Sequence, residues 1–306
     1  LLLATEAPVF VTPSMNQSMY LHPSTQSNLV KLRDLGYFTI GPSDGSQACG
    51  DEGPGRMTEP NEIIDHIARH CSTEIPQNLA GVNVMVTAGP TRERLDPVRY
   101  ITNDSSGKQG LAIANAAKSK GATVTLIAGP NVEPTNPEIF RIDVESAIEM
   151  NNAVQERLKE TDLFIGVAAV ADYRPANFLN EKIKRHGNNS LTNLELIENP
   201  DVIANVAKVK NRPIIVGFAA ETNDPLKHAR EKRIRKGIDA IIVNDVSDPS
   251  IGFNSTENAA TLIHEGGEIA FAKQSKISLG AELIDQLENI FSLSKRQKSL
   301  RQTSHA

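Results

Sequence analysis

The chain has 306 residues, 39% of them hydrophobic and 23% charged, which is the balance of an ordinary folded soluble protein with room for two domains. A formal net charge of −5 excludes a general electrostatic attraction to nucleic acid or acidic lipid, so an anion site has to be built locally. Two cysteines, Cys49 and Cys71, are too few for a disulfide framework and favour a reducing, cytoplasmic setting.

The amino-terminal segment has no targeting pattern. No apolar run approaches the roughly 20 residues of a membrane helix, so we expect no membrane partner. The opening LLLATEAPVFV carries Glu6 and lacks a basic region, so it is not a signal peptide. It also lacks an initiator Met, and we expect a chain that has lost the beginning of a longer one.

Residues 1–70 are predicted to form a unit of their own. APVFVTPSMN reads as a strand that runs into a loop, QSNLVKLRDLG as a helix, and PNEIIDHIARH as a short helix after the glycine-rich stretch 41–57. Some 70 residues make a thin core for an α/β domain. We therefore expect the carboxyl-terminal remnant of a larger domain, followed by a linker over 71–81.

Strands and helices alternate from residue 82 onward, which predicts βαβ units and a parallel sheet. The last strands differ, because AATLIHEGGEIAFAK (259–273) reads as a hairpin around Gly266 and Gly267. A helix over KISLGAELIDQLENIF follows, and residues 292–306 are predicted to be a disordered tail. The predicted strands are 82–87, 123–130, 162–172, 213–220 and 239–245, and the helices are 111–121, 146–160, 201–210 and 224–237.

The connection GPTRERLDPVRYITNDSSGKQG (89–110) takes about twenty residues where two to six are usual. It ends in Ser105, Ser106 and Gly107 before a helix, where free backbone N–H groups suit a phosphate. Neither GxxxxGK[ST] nor GxGxxG fits, so a structural capping loop explains it equally well. The amide of Asn103 suits a reacting carbonyl or phosphate, and a turn role is the alternative.

The segment AAVADYRP follows a predicted strand at the edge where doubly wound sheets bind ligands. The small residues Ala168 and Ala169 would let a nucleotide approach the backbone. Asp172 could hold ribose hydroxyls or a metal; tight packing, with Asp172 as a helix cap, is the alternative.

Basic residues cluster in two further places. EKIKRHGNNS carries Lys182, and KHAREKRIRK carries Lys232 and Lys236, four apart and so on one helix face. Such loops can neutralise a triphosphate, although most charge runs are simply solvated. NPDVIA (199–204) is another helix start that could hold phosphate. Histidines and cysteines lack zinc spacing, and no nucleophile elbow occurs, so the chemistry predicted is positioning and charge neutralisation.

Several of these motifs resemble phosphopantothenate–cysteine ligase, the second domain of the bacterial bifunctional proteins of coenzyme A biosynthesis. They are the 89–110 loop, AAVADYRP, EKIKR, ENPDVIA, VGFAAET and NDVS…FNSTENAATLI. PSMNQSMY and GSQACGDEGPGRM resemble the end of that family's flavin-dependent decarboxylase. The resemblance implies a Rossmann-like, doubly wound, mostly parallel sheet with a carboxyl-terminal hairpin over 82–291. A remnant of a flavodoxin-like domain would precede it.

The resemblance also implies a reaction. CTP and Mg²⁺ would activate 4′-phosphopantothenate to an acyl-cytidylate, and L-cysteine would then expel CMP. Asn103 would handle the acyl-cytidylate and Lys182 would support its formation, with Ser105, Ser106 and Gly107 as a phosphate loop. The implied CTP site comprises Gly166, Val167, Ala168, Asp172, Lys182, Asp201, Val202, Ile203, Ala204, Phe218, Lys232 and Lys236. The residues themselves leave CTP or ATP open.

For the decarboxylase, the resemblance implies that Asn16 contacts the substrate and that Cys49 protonates the enethiolate; a buried structural cysteine is the alternative. The family's catalytic histidine and FMN-binding strand lie upstream of Leu1, and His22, His66 and His70 do not replace them. We therefore expect this activity, and FMN binding, to belong to the full-length parent. Ligase domains of the family pair as homodimers, and the parent forms higher oligomers.

Two other functions fit the sequence less well. An NAD-dependent reductase is disfavoured because GxGxxG is absent after the first strand, and Glu133 is poorly placed for a ribose. A non-catalytic nucleic-acid module is disfavoured by the acidic pI near 5.9 and by only 4% aromatic residues.

Overall fold

The computed structural model describes residues 5, 7–47, 50–71, 77–184, 194–221, 224–245 and 255–293. The chain divides into two compact units, Leu1–Ile75 and Pro76–Ala306. Cys49, the predicted proton donor of the decarboxylase, lies outside the described residues. So do residues 294–306 of the predicted tail 292–306. None of the described helices is long and apolar enough to cross a membrane.

The first unit has a small amount of regular structure. Its strands β1 and β2 pair in parallel over two residues only, and the glycine-rich stretch forms the hairpin β3–β4. Gly55 is required there, because a side chain would collide with the carbonyl oxygen of Met15. The elements are β1 Phe10–Val11, α1 Gln17–Leu21, α2 Pro23–Asp34, β2 Phe38–Thr39, β3 Ser43–Ser46, β4 Glu52–Arg56 and α3 Pro60–Cys71.

The second unit alternates strands and helices as the sequence predicts. Its strands are β5 Asn83–Ala88, β6 Arg92–Arg94, β7 Tyr100–Thr102, β8 Thr123–Ala128, β9 Phe140–Asp143, β10 Leu163–Gly166, β11 Tyr173–Pro175, β12 Leu196–Glu198, β13 Ile214–Glu221, β14 Ala240–Asp245, β15 Glu257–His264 and β16 Gly267–Ser275. Its helices are α4 Lys108–Ser119, α5 Ala147–Arg157, α6 Val202–Ala207, α7 Pro225–Lys236 and α8 Lys276–Phe291, with a short 3-10 turn over Leu158–Glu160.

Eight strands form one sheet in the order β16-β15-β14-β13-β10-β5-β8-β9. All neighbours from β9 to β14 pair in parallel, and β15 and β16 add an antiparallel edge. The predicted doubly wound, mostly parallel sheet with a carboxyl-terminal hairpin is therefore confirmed. The chain builds outward from β5 through β8 to β9 and then returns to place β10 on the other side of β5. That reversal is the switch point where doubly wound sheets bind ligands.

The period-2 pattern of the strands buries both faces of the sheet. Val84 and Val86 of β5 join the core under α4 and α8, whereas Met85 joins the core under α5, α6 and α7. Helices α4 and α8 pack closely because Gly280 lies against the backbone of Ala112. The two cores fix the strand ends, and hence the site, from both sides.

One strand is shorter than predicted. The sequence predicts a strand over 162–172, but β10 ends at Gly166. Beyond Gly166, Thr87 Oγ1 accepts from Ala168 N at 3.2 Å and Thr91 Oγ1 accepts from Ala171 N at 3.0 Å. Regular strand pairing gives way there to an isolated bridge between Pro90 and Ala169, and the side-chain bonds supplement it. Residues 167–172 therefore leave the sheet and line its carboxyl edge.

Candidate functional site

Three glycines shape the turn between β5 and α4. Gly89 has φ +81° and Gly107 has φ +71°, the left-handed region that favours glycine. A Cβ on Gly107 would lie 2.7 Å from Val132 Cγ2 and 3.1 Å from Gly89 N, and one on Gly110 would lie 2.6 Å from Ala88 Cβ. Tight turn, close backbone approach and close helix–strand packing are the three roles of a GxGxxG phosphate turn. Here an insertion separates the first glycine from GKQG, which is why the sequence pattern failed to match.

The insertion is an antiparallel hairpin, β6–β7. Asp96, fully buried at its tip, accepts from Val98 N at 2.7 Å, Arg99 N at 2.8 Å and Ile183 N at 3.1 Å. Burial alone would raise the pKa of Asp96, but these backbone donors and the Arg99 guanidinium outweigh it and lower the pKa. The carboxylate therefore holds the tip of the hairpin to the segment that carries Lys182.

Lys182 itself is exposed and lines neither pocket described below. Its neighbour Ile183 is held at both backbone atoms, since Arg99 Nη1 also donates to the Ile183 carbonyl at 3.0 Å. Leu179 N donates to the Leu95 carbonyl at 3.0 Å. Among the described contacts, none joins Lys182 to Asn103. The two residues that the sequence pairs for catalysis are thus on connected segments but are not in contact.

The first pocket, here called the glycine-turn pocket, lies beside the three glycines at the start of α4. Two lysines line it. Burial lowers the pKa of Lys276, whose residue is 7% exposed, and the neighbouring cation Lys108 lowers it further. Its lining is Gly89, Ser105, Ser106, Gly107, Lys108, Gln109, Gly110, Val167, Ala168, Ala169, Phe218, Ala220, Asn244, Asn258 and Lys276.

The second pocket, here called the carboxylate pocket, lies beside the start of α6. It shares Ala168 and Phe218 with the glycine-turn pocket, so the two adjoin at the carboxyl ends of β10 and β13. Its lining is Thr87, Gly166, Ala168, Val170, Ala171, Asp172, Asn199, Pro200, Asp201, Val202, Ile203, Phe218, Lys232 and Lys236.

The charges of the carboxylate pocket are largely paired. Asp201 caps α6 by accepting from Ala204 N at 3.0 Å, and it binds Lys236 Nζ at 2.8 Å. Burial raises the pKa of Asp201, but the Lys236 hydrogen bond and the capping bond more than offset this and lower it. The pKa of Lys232 is lowered by burial first and then by Lys236, while Glu221, 4.0 Å away, acts in the opposite direction.

Asn103 lies at the rim of the carboxylate pocket. Its amide nitrogen Nδ2 donates to the Val170 carbonyl at 3.0 Å, and Val170 lines that pocket. Thr102, the preceding residue, donates from Oγ1 to the Thr91 carbonyl at 2.6 Å. The end of the hairpin is therefore fastened beside the shared wall of the two pockets. An amide held this way can bind a group at the junction.

Most of the predicted site residues come together. Those that line the carboxylate pocket are Gly166, Ala168, Asp172, Asp201, Val202, Ile203, Phe218, Lys232 and Lys236. Val167 and the predicted phosphate loop, Ser105, Ser106 and Gly107, line the glycine-turn pocket. Ala204 lines neither, because its N–H serves the Asp201 cap. These positions do not test the predicted roles.

Sequence reasoning missed a group of polar residues at the same edge, most of them buried. Asn199 holds the wall of the carboxylate pocket by donating from Nδ2 to the Ala171 carbonyl at 2.8 Å. Gln109, Asn244, Asn258 and Lys276 are buried around the glycine-turn pocket. Asn244 and Asn258 lie in the otherwise apolar strands β14 and β15, and Gln109 and Lys276 lie at the starts of α4 and α8. An amide side chain within an apolar strand is the sequence feature that could have predicted the two asparagines.

In the first unit, Asn16 is engaged within its own fold. Its Oδ1 accepts from Ser18 N at 2.8 Å, which caps α1, and its Nδ2 donates to Asp51 Oδ2 at 2.9 Å. Its predicted substrate role stays a prediction. So does the expected loss of decarboxylation.

A doubly wound sheet with a glycine turn and a polar cleft at its switch point defines the class of α/β proteins that bind ligands outside the strand ends. The family model described as DNA/pantothenate metabolism flavoprotein C-terminal domain matches residues 79–291, and the one described as Flavoprotein matches 1–72.

Similarity to known proteins identifies the family within this class. The coenzyme A biosynthesis bifunctional protein CoaBC of Escherichia coli (strain K12) is 51% identical over 289 residues, 93% of this chain and 70% of that protein. The protein of the same name from Vibrio cholerae serotype O1 is 49% identical over 285 residues, 93% of this chain and 71% of that protein. A crystal structure of a CoaBC C-terminal domain is 33% identical with a TM-score of 0.60, covering 71% of this chain and 98% of that one. The chain belongs to the CoaBC family.

Proposed function

We propose that the second unit joins 4′-phosphopantothenate to L-cysteine in two steps that consume CTP. The observation that carries this proposal is the continuous cleft at the switch point. Its two pockets share Ala168 and Phe218 and differ in charge, one lined by two lysines at a glycine turn and the other by paired carboxylates and lysines. Membership of the CoaBC family supports the choice of reaction.

The carboxylate pocket would take the nucleoside of CTP. Asp172 and Asp201 supply carboxylate oxygens, which accept hydrogen bonds from ribose hydroxyls. Gly166 and Ala168 leave room for the sugar to approach the backbone. Lys232 and Lys236 would contact the base carbonyl or the phosphates. Because both lysines already face carboxylates, the net charge offered to a ligand here is small.

The glycine-turn pocket would take phosphate groups. Helix α4 begins at Gly107 without a side-chain cap, so its first backbone N–H groups face the pocket end of the helix. Lys108 and Lys276 add positive charge. The described residues contain no group of three or more His, Cys, Asp or Glu side chains that could by themselves hold a metal ion. This fits Mg²⁺ held by the nucleotide phosphates and one carboxylate such as Asp172, and the ion would neutralise phosphate charge.

The junction would hold the reacting atoms. In the first step a carboxylate oxygen of 4′-phosphopantothenate bonds to the α-phosphorus and pyrophosphate leaves. In the second step the cysteine amine bonds to the acyl carbon and loses a proton, and CMP leaves. Asn103, fastened to Val170 at the rim, would orient the acyl-cytidylate. Lys182 would approach from the segment tethered to Asp96 and stabilise charge in the first step.

For the first unit, the family suggests the flavin-dependent decarboxylation of phosphopantothenoylcysteine, with Cys49 as acid. Flavin in an α/β fold binds across the ends of several adjacent strands. The described residues of this unit offer one parallel pair of two residues, β1–β2, and do not by themselves form such a cradle. No decarboxylation step is therefore assigned to these residues, and FMN binding stays a proposal for the whole decarboxylase domain, whose family model matches residues 1–72.

The test of the ligase is pyrophosphate release from 4′-phosphopantothenate with Mg²⁺ and either CTP or ATP, with and without cysteine. We expect release with CTP that cysteine stimulates. Asn103→Asp should accumulate acyl-cytidylate, because a carboxylate beside the Val170 carbonyl loses the amide donor. Asn136→Asp is the matched control, since this exposed asparagine uses its oxygen to accept from Glu138 N at 2.9 Å. Folded protein that releases pyrophosphate with neither nucleotide would refute the proposal.

A further inference from the structure

Three buried amides form a chain between four elements around the glycine-turn pocket. Gln109 is 8% exposed, Asn244 7% and Asn258 2%. Asn244 Nδ2 donates to Asn258 Oδ1 at 3.2 Å, and Asn258 Nδ2 donates to Gln109 Oε1 at 3.1 Å. Gln109 Nε2 then donates to the Lys276 carbonyl at 3.3 Å. The amides connect β14, β15, α4 and the start of α8.

Backbone groups determine the direction of this chain. The Lys276 carbonyl can only accept, so Gln109 must present Nε2 to it and Oε1 to Asn258. The backbone N–H of Ala259 can only donate, and it donates to Asn258 Oδ1 at 3.0 Å. Both anchors require the same orientation of Asn258, and Asn244 must therefore present Nδ2 to it. Asn244 has no freedom to flip its amide.

One acceptor is left over. Asn244 Oδ1 is buried and has no hydrogen-bond partner among the described residues, and Asn244 lines the glycine-turn pocket. A buried polar atom without a partner costs free energy, so native proteins seldom retain one without a use. A ligand that brings a donor to this oxygen would remove that cost. The pocket therefore selects for a hydrogen-bond donor at this position.

The charges nearby restrict the donor. Fully ionised phosphates carry no hydrogen to donate. The nucleoside hydroxyls would bind the carboxylates of the carboxylate pocket, on the other side of Ala168. Lys108 and Lys276, close enough for one to lower the pKa of the other, oppose an ammonium group. The proposed Mg²⁺ would be held by the nucleotide phosphates and by Asp172, which lines the other pocket. The cytosine amino group belongs to the nucleoside, which the carboxylate pocket would take, and the cysteine thiol is only a weak donor. Among the proposed substrates this leaves the hydroxyl and amide N–H of the pantothenate moiety.

We propose that Asn244, held by Gln109 and Asn258, is the specificity residue for an uncharged donor of the acyl substrate. This inference rests on the proposed function. Its test uses Asn244→Ala, with Asn244→Leu as a second variant of similar shape should alanine fail to fold. Asn115→Ala is the matched control, because Asn115 Oδ1 is likewise buried without a partner among the described residues, yet Asn115 lines neither pocket.

Pyrophosphate release by the wild type tests the ligase proposal. Calorimetry of 4′-phosphopantothenate binding in the absence of CTP tests the present inference separately. Loss of one neutral hydrogen bond should weaken binding about tenfold in the Asn244 variants and leave Asn115→Ala unchanged. The KM for the acyl substrate should rise equally, with those for CTP and cysteine unaltered. Unchanged acyl affinity in a folded Asn244 variant, or a rise confined to CTP, cysteine or Mg²⁺, would overturn the inference.

An analogue of 4′-phosphopantothenate without the secondary hydroxyl identifies the donor. If the hydroxyl binds Asn244, the analogue binds the wild type about tenfold more weakly and Asn244→Ala causes no further loss. If the amide N–H binds Asn244, the variant loses the same factor for both ligands. Either result supports the assignment, whereas equal binding of both ligands to wild type and variant contradicts it.

Discussion

The glycine-turn pocket and the carboxylate pocket lie on opposite sides of Ala168 and Phe218, and they use lysine differently. In the carboxylate pocket Lys236 binds Asp201 at 2.8 Å, and Lys232 lies 4.0 Å from Glu221. In the glycine-turn pocket the pKa of Lys276 is lowered by burial and by a second cation, Lys108. Paired charges suit neutral polar groups such as ribose hydroxyls, whereas adjacent cations suit an anion.

The two pockets differ in charge because different elements of the fold build them. The carboxylate pocket is built where α6 and α7 meet the sheet, and helix caps and ion pairs there satisfy the charges locally. The glycine-turn pocket is built at the start of α4, where Gly89 and Gly107 bring bare backbone close to the ligand space. The glycine-turn pocket therefore suits an anionic ligand better than the carboxylate pocket does. The following variants test that contrast.

The largest effect is expected for Gly107→Ala. A Cβ there would lie 2.7 Å from Val132 Cγ2 at a φ of +71°, so the turn must move away from the phosphates. We expect kcat/KM for ligation to fall about a hundredfold, the cost of a lost anion-binding backbone donor. Steady-state kinetics measure it.

Gly237→Ala is the control for that variant, because Gly237 has φ +62° but a Cβ there meets nothing within 4 Å. It should lose about 1 kcal/mol of stability by left-handed strain and keep its kinetics. Equal kinetic losses in the two variants would show that the glycine turn has no special relation to the substrate.

Two variants, Lys276→Met in the glycine-turn pocket and Lys232→Met in the carboxylate pocket, compare the two pockets directly. Binding of inorganic pyrophosphate, followed by calorimetry, should weaken about tenfold to a hundredfold in Lys276→Met, because a charge-assisted contact is lost. Lys232→Met should lose only about threefold, since Glu221 already offsets that charge. A reversed order would contradict the assignment of phosphates to the glycine-turn pocket.

The pH dependence of nucleotide binding should reveal Lys232. Its pKa is lowered by burial and by Lys236, so the cation is lost as pH rises, before the usual value of about 10.4 is reached. The KM for CTP should therefore rise with alkaline pH. Lys232→Arg should remove the rise, because arginine stays charged. A KM that rises identically in wild type and Lys232→Arg would assign the titration to another group.

The smallest effect is expected for the Asp201–Lys236 pair. The folded pKa of Asp201 is lowered, so its pair adds stability above the unfolded value of about 3.9 and loses it as pH falls through the folded value. Because the Asp201 side chain is 45% exposed, Lys236→Met should cost only about 0.5–1 kcal/mol at neutral pH.

Urea unfolding at neutral and acid pH measures this cost, with Lys227→Met, an exposed lysine of the same helix, as control. The difference between the two variants should vanish in acid. A loss that persists unchanged at acid pH would indicate packing by the lysine stem and not the ion pair.

The regular part of the second unit follows from local pattern. The final helix is predicted at 276–291 and found at Lys276–Phe291, because its apolar spacing and its Ser275 cap agree. The strand predicted over 162–172 stops at Gly166, and beyond it the hydroxyls of Thr87 and Thr91 accept from the N–H groups of Ala168 and Ala171. Those threonines are some 80 positions away in the chain, and local pattern cannot include them.

The same distinction between local sequence pattern and contacts distant in the chain applies to the candidate site. The sequence predicted Ser105, Asp172 and Lys232, which line the two pockets, because turn residues and charges near strand ends can be recognised from the sequence alone. The glycine turn was not, because the hairpin insertion separates Gly89 from Gly107. Residues that act through spacing in the chain are predictable, and residues that act through spacing in the fold are not.

By itself, then, the sequence determined the alternation of strands and helices, the antiparallel edge and the chemistry at the strand ends, since periodicity and turn residues act over a few positions. The tertiary structure alone decided which of those residues share a pocket and which lysines are paired. It also decided that the Asn244 oxygen is left without a partner among the described residues. The reason is that hydrogen bonds, burial and charge coupling depend on distances in the folded sheet.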